Sequence, residues 1–269
     1  MASGQGTKRA LCVGINDYPG TGSDLNGCVN DAKDWKAALE ARGYVVATLL
    51  DGAATRAAIV SKLTQMVVEA KSGDNLVFTY SGHGSWLPDD DGDEPDGRDE
   101  MLCPHDIGQN QYLMDDTLAE IFGRKAEGVR LYFVSDSCHS GTVARFAPPL
   151  FPDAEKLHPR PRFLHPSTFV KDDAELRRIR RAASAPRATR QKYPALLFAG
   201  CRDVEYSYDA VINGRPNGAF TYVALQALKQ NPATPQKLMA EVRDHLPTAT
   251  YPQTPQLYGS RTAKRGPIF

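Results

Sequence analysis

The sequence predicts an α/β fold with a mostly parallel central sheet and helices on both faces. Three observations lead there. Short apolar runs of strand length recur along the chain. Between them lie stretches whose apolar residues fall three or four apart. The residues able to do chemistry sit just past the ends of the apolar runs, where open parallel sheets carry their functional groups.

The elements follow in order. ALCVGI (10–15) reads as a buried strand ending in a polar loop. NDAKDWKAALEARG is a helix with Ala32, Trp35 and Leu39 on one face and Gly43 as its C-terminal cap. VVATLL (45–50) is the second strand, and Thr55 caps a helix carrying Ile59, Leu63, Met66, Val67 and Ala70 inward. NLVFTYS (75–81) is the third strand. An acidic loop and the helix DDTLAEIFGRKA, with Leu118, Ile121 and Phe122 inward, separate it from the fourth strand, VRLYFVS (129–135). Residues 145–192 break the rhythm, being rich in Pro and Arg without a lasting apolar period. The order resumes with ALLFAGC (195–201) and a helix marked by Phe220, Val223, Ala224, Ala227 and Leu228. A helix opening at Pro235 and a last strand in QLYGS complete it. The expected organisation is a single domain over 1–269 with a basic insertion at about 145–192.

Lys plus Arg equals Asp plus Glu, 32 against 32, so net charge gives no reason to expect nucleic acid or a membrane partner. No run approaches the roughly 18 apolar residues of a membrane span. The opening MASGQGTKRALCVGI lacks the apolar stretch and cleavage site of a secretory signal. The five cysteines include no CxxC pair, which points away from zinc and from a disulfide framework and toward a reducing, cytoplasmic setting.

FVSDSCHSGT places Cys138 directly before His139. Neighbouring side chains on a strand point to opposite faces, so His139 is poorly placed to serve that thiol. His105, His158, His165 and His245 have no nucleophile signal near them. His83, in YSGHGS, follows the third strand as Cys138 follows the fourth. Adjacent strands lie about 4.8 Å apart. If these two are neighbours, imidazole and thiol rise from one sheet edge and can exchange a proton. The glycines flanking His83 would allow close backbone approach by a substrate. The amides of Gly84 and Cys138 would then form an oxyanion hole for acyl transfer. Against this stands the blander reading, a small buried cysteine and a turn histidine; matched ends on consecutive strands favour the dyad. Asp136 lies two residues before Cys138 and shares its side of the strand end, where a carboxylate attracts a cation. A plain loop carboxylate is the alternative.

DSCHSG, YSGHGS, GCVNDA (27–32), DGDEPDGRDE (91–100) and the pair at 115–116 together resemble the metacaspases and their bacterial relatives, the orthocaspases. The resemblance is strong over 8–144 and weaker over 193–228, where NGAFTYVAL is similar to the family. His83 precedes Cys138 by 55 residues, close to the ~50 of the related caspase signature. The resemblance implies a caspase-hemoglobinase fold and peptide-bond hydrolysis through a thioester, with Cys138 as nucleophile and His83 managing the proton. It implies cleavage after Arg or Lys, with Asp31 and Ser81 joining Asp136 in the S1 pocket; for Asp31 the alternative, or additional, role is a helix N-terminal acid favoured by the dipole. It implies Asp99, Asp115 and Asp116 as Ca²⁺ ligands. Arg145 stands where the family pattern has a further acid, which argues against such a site, so no cofactor is required. It also implies a monomer.

Two segments carry local charge. Residues 89–100, DDDGDEPDGRDE, hold eight acids and one arginine and could bind a hard cation, steer basic substrates or simply be solvated. From Lys156 to Lys192 eleven basic residues stand against three acidic ones. A processing loop is the functional expectation, with Arg177, Arg178, Arg180 and Arg181 as targets and Arg160 disfavoured by Pro161; a surface linker is the plain one. No interleaved aromatics support nucleic-acid binding. The chain thus reads as an Arg/Lys-specific cysteine endopeptidase acting on proteins or peptides with basic P1 residues. A transpeptidase or ligase with the same dyad, and a non-catalytic interaction module, are the alternatives.

Overall fold

The computed structural model describes residues 6–88, 98–138, 159–182 and 194–269. His139, Arg145 and His158 lie outside the described residues, as does all but the last part of the acidic loop.

The central sheet is built from β1 (Lys8–Gly14), β2 (Val45–Leu50), β3 (Asn75–Ser81), β7 (Arg130–Asp136), β9 (Leu196–Ala199) and β12 (Gln256–Tyr258). Their order is β12-β9-β7-β3-β1-β2. The neighbours from β2 to β9 are parallel, and β12 closes the edge antiparallel to β9. Alternation along β1 sorts the core into two layers. Leu11 and Val13 pack with α2 (Arg56–Val68) and α3 (Asp115–Gly123) through Ile59, Leu63 and Phe122. Ala10 and Cys12 face α1 (Cys28–Glu40), α5 (Ala219–Lys229) and α6 (Pro235–Arg243) through Trp35, Phe220 and Leu238. Helices cover both faces, as a mostly parallel sheet requires.

Two predicted N-terminal features hold, whereas the first helix caps at Ala41 rather than at Gly43, which follows with φ of 82°. Thr55 accepts a hydrogen bond from Ala58 N–H at the start of α2, and Pro235 occupies the first turn of α6. The first helix begins at Cys28, two residues before the expected start.

Two small sheets flank the carboxyl ends of the central strands. One has the order β4-β5-β6, from β4 (Gly84–Pro88), β5 (Arg98–Leu102) and β6 (Leu113–Met114). Its β5 takes the last residues of the acidic loop, and Arg98 stacks 4.7 Å from the Trp86 ring. The other is β11-β10-β8, from β8 (Arg160–Pro161), β10 (Tyr208–Ile212) and β11 (Arg215–Gly218). Residues 160–182 of the insertion are therefore structured. They contribute β8 and a helix, α4 (Asp173–Ala182), that the irregular composition did not announce. A short α7 (Arg261–Arg265) ends the chain.

Candidate active site

Strands β3 and β7 are direct neighbours, with Ser81 opposite Asp136 at the end of the ladder. His83 and Cys138 each lie two residues beyond that pair, so both leave the sheet at the same margin. Their backbones converge further. The amides of Gly84 and Cys138 donate to one oxygen, the carbonyl of Arg162, at 3.0 and 3.1 Å. The amide following His83 and the amide of Cys138 itself thus point to a common oxygen.

The His83 backbone is clamped. Its N–H donates to the Tyr18 hydroxyl at 2.7 Å, and its carbonyl accepts from Tyr80 Oη at 2.8 Å and from Cys103 N–H at 3.0 Å. A Cβ on Gly82 would fall 2.5 Å from Tyr18 Oη and 2.7 Å from Tyr80 Oη. Gly82 therefore makes room for two hydroxyls. The ring Nε2 lies 2.6 Å from the Ser23 carbonyl, which only accepts, so Nε2 carries the proton. Nδ1 is then the lone-pair nitrogen, and it is buried without a hydrogen-bond partner among the described residues. Burial is the largest cause pushing the imidazole down to about 4, so the ring is neutral at pH 7. The Cys138 thiol is buried and lies against Ser207, whose carbonyl is 3.3 Å and whose amide nitrogen is 2.6 Å from Sγ.

Below this margin lies an acidic pocket, and a guanidinium fills it. Arg162 Nη2 pairs with Asp31 at 2.7 Å and with Asp209 at 3.0 Å, and Nη1 pairs with Asp136 at 3.1 Å. All four side chains are essentially inaccessible. Each carboxylate has its own donors. Asp31 accepts from Gly218 N–H and Asn217 Nδ2. Although it stands in the first turn of α1, its carboxylate faces the pocket. Asp136 accepts from Thr221 N–H and Oγ1, at the positive N-terminus of α5, and from Ser207 Oγ. Asp209 accepts from the amides of Asn26 and Gly27. Three carboxylates around one cation leave excess negative charge, and burial raises Asp31 to about 6, against the pull of Arg162. Gly218 forms the pocket wall, since a Cβ there would meet Asp136 Oδ2 at 2.1 Å and Arg162 Nη1 at 2.5 Å.

Of the expected S1 residues, Asp31 and Asp136 reach the guanidinium. Ser81 is buried beside Asp136 in register but is not among the hydrogen-bond partners of Arg162. Asp209, Ser207 and Arg162 itself were missed. The Asn-Gly turn at 213–214, with φ of 53° and 77°, marks a hairpin legible in the sequence and would have drawn attention to Asp209. Arg177, Arg178, Arg180 and Arg181 lie on α4, where Arg178 pairs with Glu175 at 2.9 Å. Asp99 lies on β5, and Asp115 and Asp116 open α3, with Asp115 Oδ1 accepting the Asp116 N–H at 3.0 Å. Among the described residues no group of three or more His, Cys, Asp or Glu is arranged to hold a metal ion. Open cavities of about 560 and 520 Å³ border α7, lined by residues such as Met239 and Val129 and away from these groups.

A mostly parallel sheet with a thiol, an imidazole, converging amides and an acidic pocket at one margin defines a caspase-like cysteine peptidase scaffold. Residues 8–147 match the metacaspase, peptidase C14 domain family. The chain is 33% identical to Metacaspase-1A of Aspergillus fumigatus over 286 residues, covering 94% of this chain and 68% of that protein. It is likewise 33% identical to Metacaspase-1 of Cryptococcus neoformans over 300 residues, covering 98% of this chain and 65% of that one. The crystal structure of protein GSU0716 from Geobacter sulfurreducens is similar with a TM-score of 0.72 and 29% identity, covering 97% of this chain and 100% of that one. The chain belongs to the metacaspase family, and is a caspase-like cysteine peptidase with protein substrates. It spans about two thirds of the length of the fungal relatives. Among the described residues no helix is long and apolar enough to cross a membrane.

Proposed function

We propose that this peptidase cleaves after Arg, and less well after Lys, using Cys138 as nucleophile and His83 as proton carrier. One observation carries the reading. The carbonyl oxygen of Arg162 receives the Gly84 and Cys138 amides while the side chain of the same residue meets Asp31, Asp136 and Asp209. One arginine thus engages an oxyanion hole and a cation pocket at once, as a P1 residue must.

The chemistry follows from the groups present. The thiol of Cys138 gives its proton to Nδ1 of His83, the nitrogen left basic by the Ser23 contact. Sulfur attacks the P1 carbonyl carbon, and the two amides hold the resulting oxyanion. The imidazolium protonates the leaving amine, a thioester remains, and water activated by the same ring releases the acid. The enzyme acts as a cytoplasmic monomer on basic sites in proteins, without nucleic acid or membrane, requires no metal, and processes its own basic insertion. A panel of fluorogenic peptides ending in Arg, Lys or Asp tests the reading, with Cys138→Ala as control. Turnover of the Arg peptide at least about a hundredfold above the Asp peptide is expected, because a buried carboxylate pocket rejects an anion. Equal turnover by wild type and Cys138→Ala would end it.

A further inference from the structure

We infer that the chain carries a second ligand site, at the sheet margin opposite Cys138, and that this site takes an anion built of three linked phosphates. The site is a cavity of about 560 Å³ between α6 and α7, ringed by Arg243, Arg261, Lys264 and Arg265. The inference is independent of the peptidase reading.

Residue spacing on the two helices makes the cavity basic. From α6 it is lined by Gln236, Met239, Ala240 and Arg243, at i, i+3, i+4 and i+7. These share one face, and Glu241, the acid of that helix, falls off it. From α7 come Arg261, Lys264 and Arg265, at i, i+3 and i+4, again on one face. Leu257 of β12 adds to the apolar wall begun by Met239. That strand pairs with the start of β9, Tyr258 opposite Leu197. Strand β9 runs parallel to β7, whose far end leads to Cys138. The cavity therefore lies at the amino ends of these strands, away from the dyad and the acidic pocket.

No acid balances this charge. Among the described residues that line the cavity there is no Asp or Glu. Arg243 donates from Nε to the Pro255 carbonyl at 2.8 Å and from Nη2 to Gln256 Oε1 at 3.3 Å. Both acceptors are neutral, so this guanidinium is held in place with its charge uncompensated. Arg261, Lys264 and Arg265 have no ion-pair partner among the described residues. Helix electrostatics account for part of the pattern, since cations in a last turn are favoured, which covers Arg243, Lys264 and Arg265. Arg261 is the exception. It is the first residue of α7, the end that disfavours a cation, and it stands three and four residues from two like charges. Like charges so placed destabilise a helix, and an anion between them reverses the sign.

Size and charge select the ligand. Small-molecule sites span about 300–1,000 Å³, so the cavity holds a compact ligand rather than a protein surface. A single phosphate carries about two negative charges and would leave outer cations unmatched. A chain of three phosphates has the charge and the length to meet all four. The planar forks of Arg261 and Arg265 suit paired phosphate oxygens. The apolar wall keeps water from one side, which strengthens the bonds on the other. Free inorganic polyphosphate and the phosphate tail of a nucleotide share this chemistry.

Isothermal titration calorimetry on full-length Cys138→Ala protein tests the site with tripolyphosphate, ATP, adenosine and inorganic phosphate, each without divalent cations. Tripolyphosphate should bind with a Kd of roughly 10–100 μM at low salt and raise the melting temperature. Inorganic phosphate should bind at least about tenfold more weakly, and adenosine should give no heat. ATP tells the two sources apart: binding equal to or tighter than that of tripolyphosphate assigns a nucleotide, and binding at least about tenfold weaker assigns free polyphosphate. Arg261→Gln/Lys264→Gln/Arg265→Gln should weaken tripolyphosphate at least about 30-fold, with an unchanged circular dichroism spectrum to show that it is folded. Arg261→Gln alone should weaken it at least about threefold. Its ligand-free melting temperature should equal or exceed that of the parent, because it removes the cation that α7 tolerates worst. Lys264→Arg should keep the affinity within about threefold. Lys33→Gln/Lys229→Gln removes two exposed cations outside the cavity and should keep it within about twofold. Tripolyphosphate that gives neither heat nor a melting shift would overturn the inference. So would equal affinity for inorganic phosphate, or equal losses in the cavity variant and the Lys33→Gln/Lys229→Gln control, since net charge and not this cavity would then hold the anion.

Discussion

Asp31 on α1 and Asp209 on β10 grip the same nitrogen, Nη2 of Arg162, from 2.7 and 3.0 Å. The two acids are far apart in sequence and reach the pocket on different elements. With Asp136 they make a site whose charge exceeds that of any single bound cation. Removing one of them should weaken Arg binding without making Asp acceptable, since two carboxylates remain. For Asp209→Asn we expect a loss of roughly 2–5 kcal/mol in transition-state binding of Arg peptides, or at least about 30-fold in kcat/KM. Steady-state kinetics on the processed enzyme measure this; unchanged kcat/KM would remove Asp209 from the pocket.

Gly218 is a steric test of the same site. A methyl group there would lie 2.1 Å from Asp136 Oδ2, which is fixed by Thr221, so it cannot be relieved by rotation of a loose side chain. Gly218→Ala should lower stability by about 1–3 kcal/mol through overpacking. It should also depress kcat/KM for Arg peptides at least about a hundredfold by narrowing the pocket at the guanidinium. Thermal melts and kinetics on one preparation separate the two effects.

His83 gives a pH signature. Its ordinary value of 6.5 falls to about 4 in the fold, chiefly through burial. Between these values the unfolded chain holds a proton that the folded ring refuses, so acid favours unfolding. The contribution is fully present above pH 6.5 and is lost as pH falls toward 4. Asp31 works in the opposite sense, because its raised value makes rising pH through the range from 3.8 to about 6 unfavourable to the fold. Comparing Cys138→Ala with Cys138→Ala/His83→Gln cancels the Asp31 contribution. The stability advantage of His83 over Gln should shrink by roughly 2–3 kcal/mol from pH 7.5 to pH 4.5 in urea denaturation. A constant difference would show that the ring is not buried as a neutral group.

The sheet was legible because burial on both faces writes itself as apolar runs, from the runs around Leu11 to those around Phe133 and Phe198. The dyad candidates were legible because each stands two residues past a strand whose end the apolar run marks. The pocket was half legible. Asp136 is local to Cys138, and Asp31 came through resemblance, but Asp209 enters from β10, 73 residues after Asp136 (209 − 136), and is held there only through tertiary pairing of β10 with β8 and β11. Arg162 was illegible for a different reason. In PRPRFLHP nothing local distinguishes a pocket-filling arginine from the other basic residues of the insertion. Its role depends on three acids that the fold gathers around it.

Calcium removal should have little effect. The positions suggested by resemblance supply Asp99, Asp115 and Asp116, and the fourth carries Arg145 instead of an acid. A Ca²⁺ ion needs six to eight oxygens, and a cation in place of one ligand opposes its charge. Asp115 is further engaged by the Asp116 N–H. Activity of the processed enzyme in chelator should match that in millimolar calcium within about twofold. A rise of tenfold or more on adding calcium would show that the acidic loop completes a site despite Arg145.

The pocket should also separate its two basic substrates. Arg162 satisfies three carboxylates because its two terminal nitrogens point apart, Nη2 to Asp31 and Asp209 and Nη1 to Asp136. A lysine ammonium is a single point and cannot stand 3 Å from all three acids when they are spaced for a fork. It would leave at least one buried carboxylate without a direct cation, which costs on the order of 2 kcal/mol. Arg peptides should therefore exceed Lys peptides of the same sequence by roughly 10- to 100-fold in kcat/KM, with most of the difference in KM. In Asp136→Asn the Nη1 partner loses its charge, and the preference should contract toward a few-fold because Lys never engaged that position fully. Equal kcat/KM for the two peptides in wild type would mean that the pocket reads charge alone and that the forked contact made by Arg162 is not how a substrate binds.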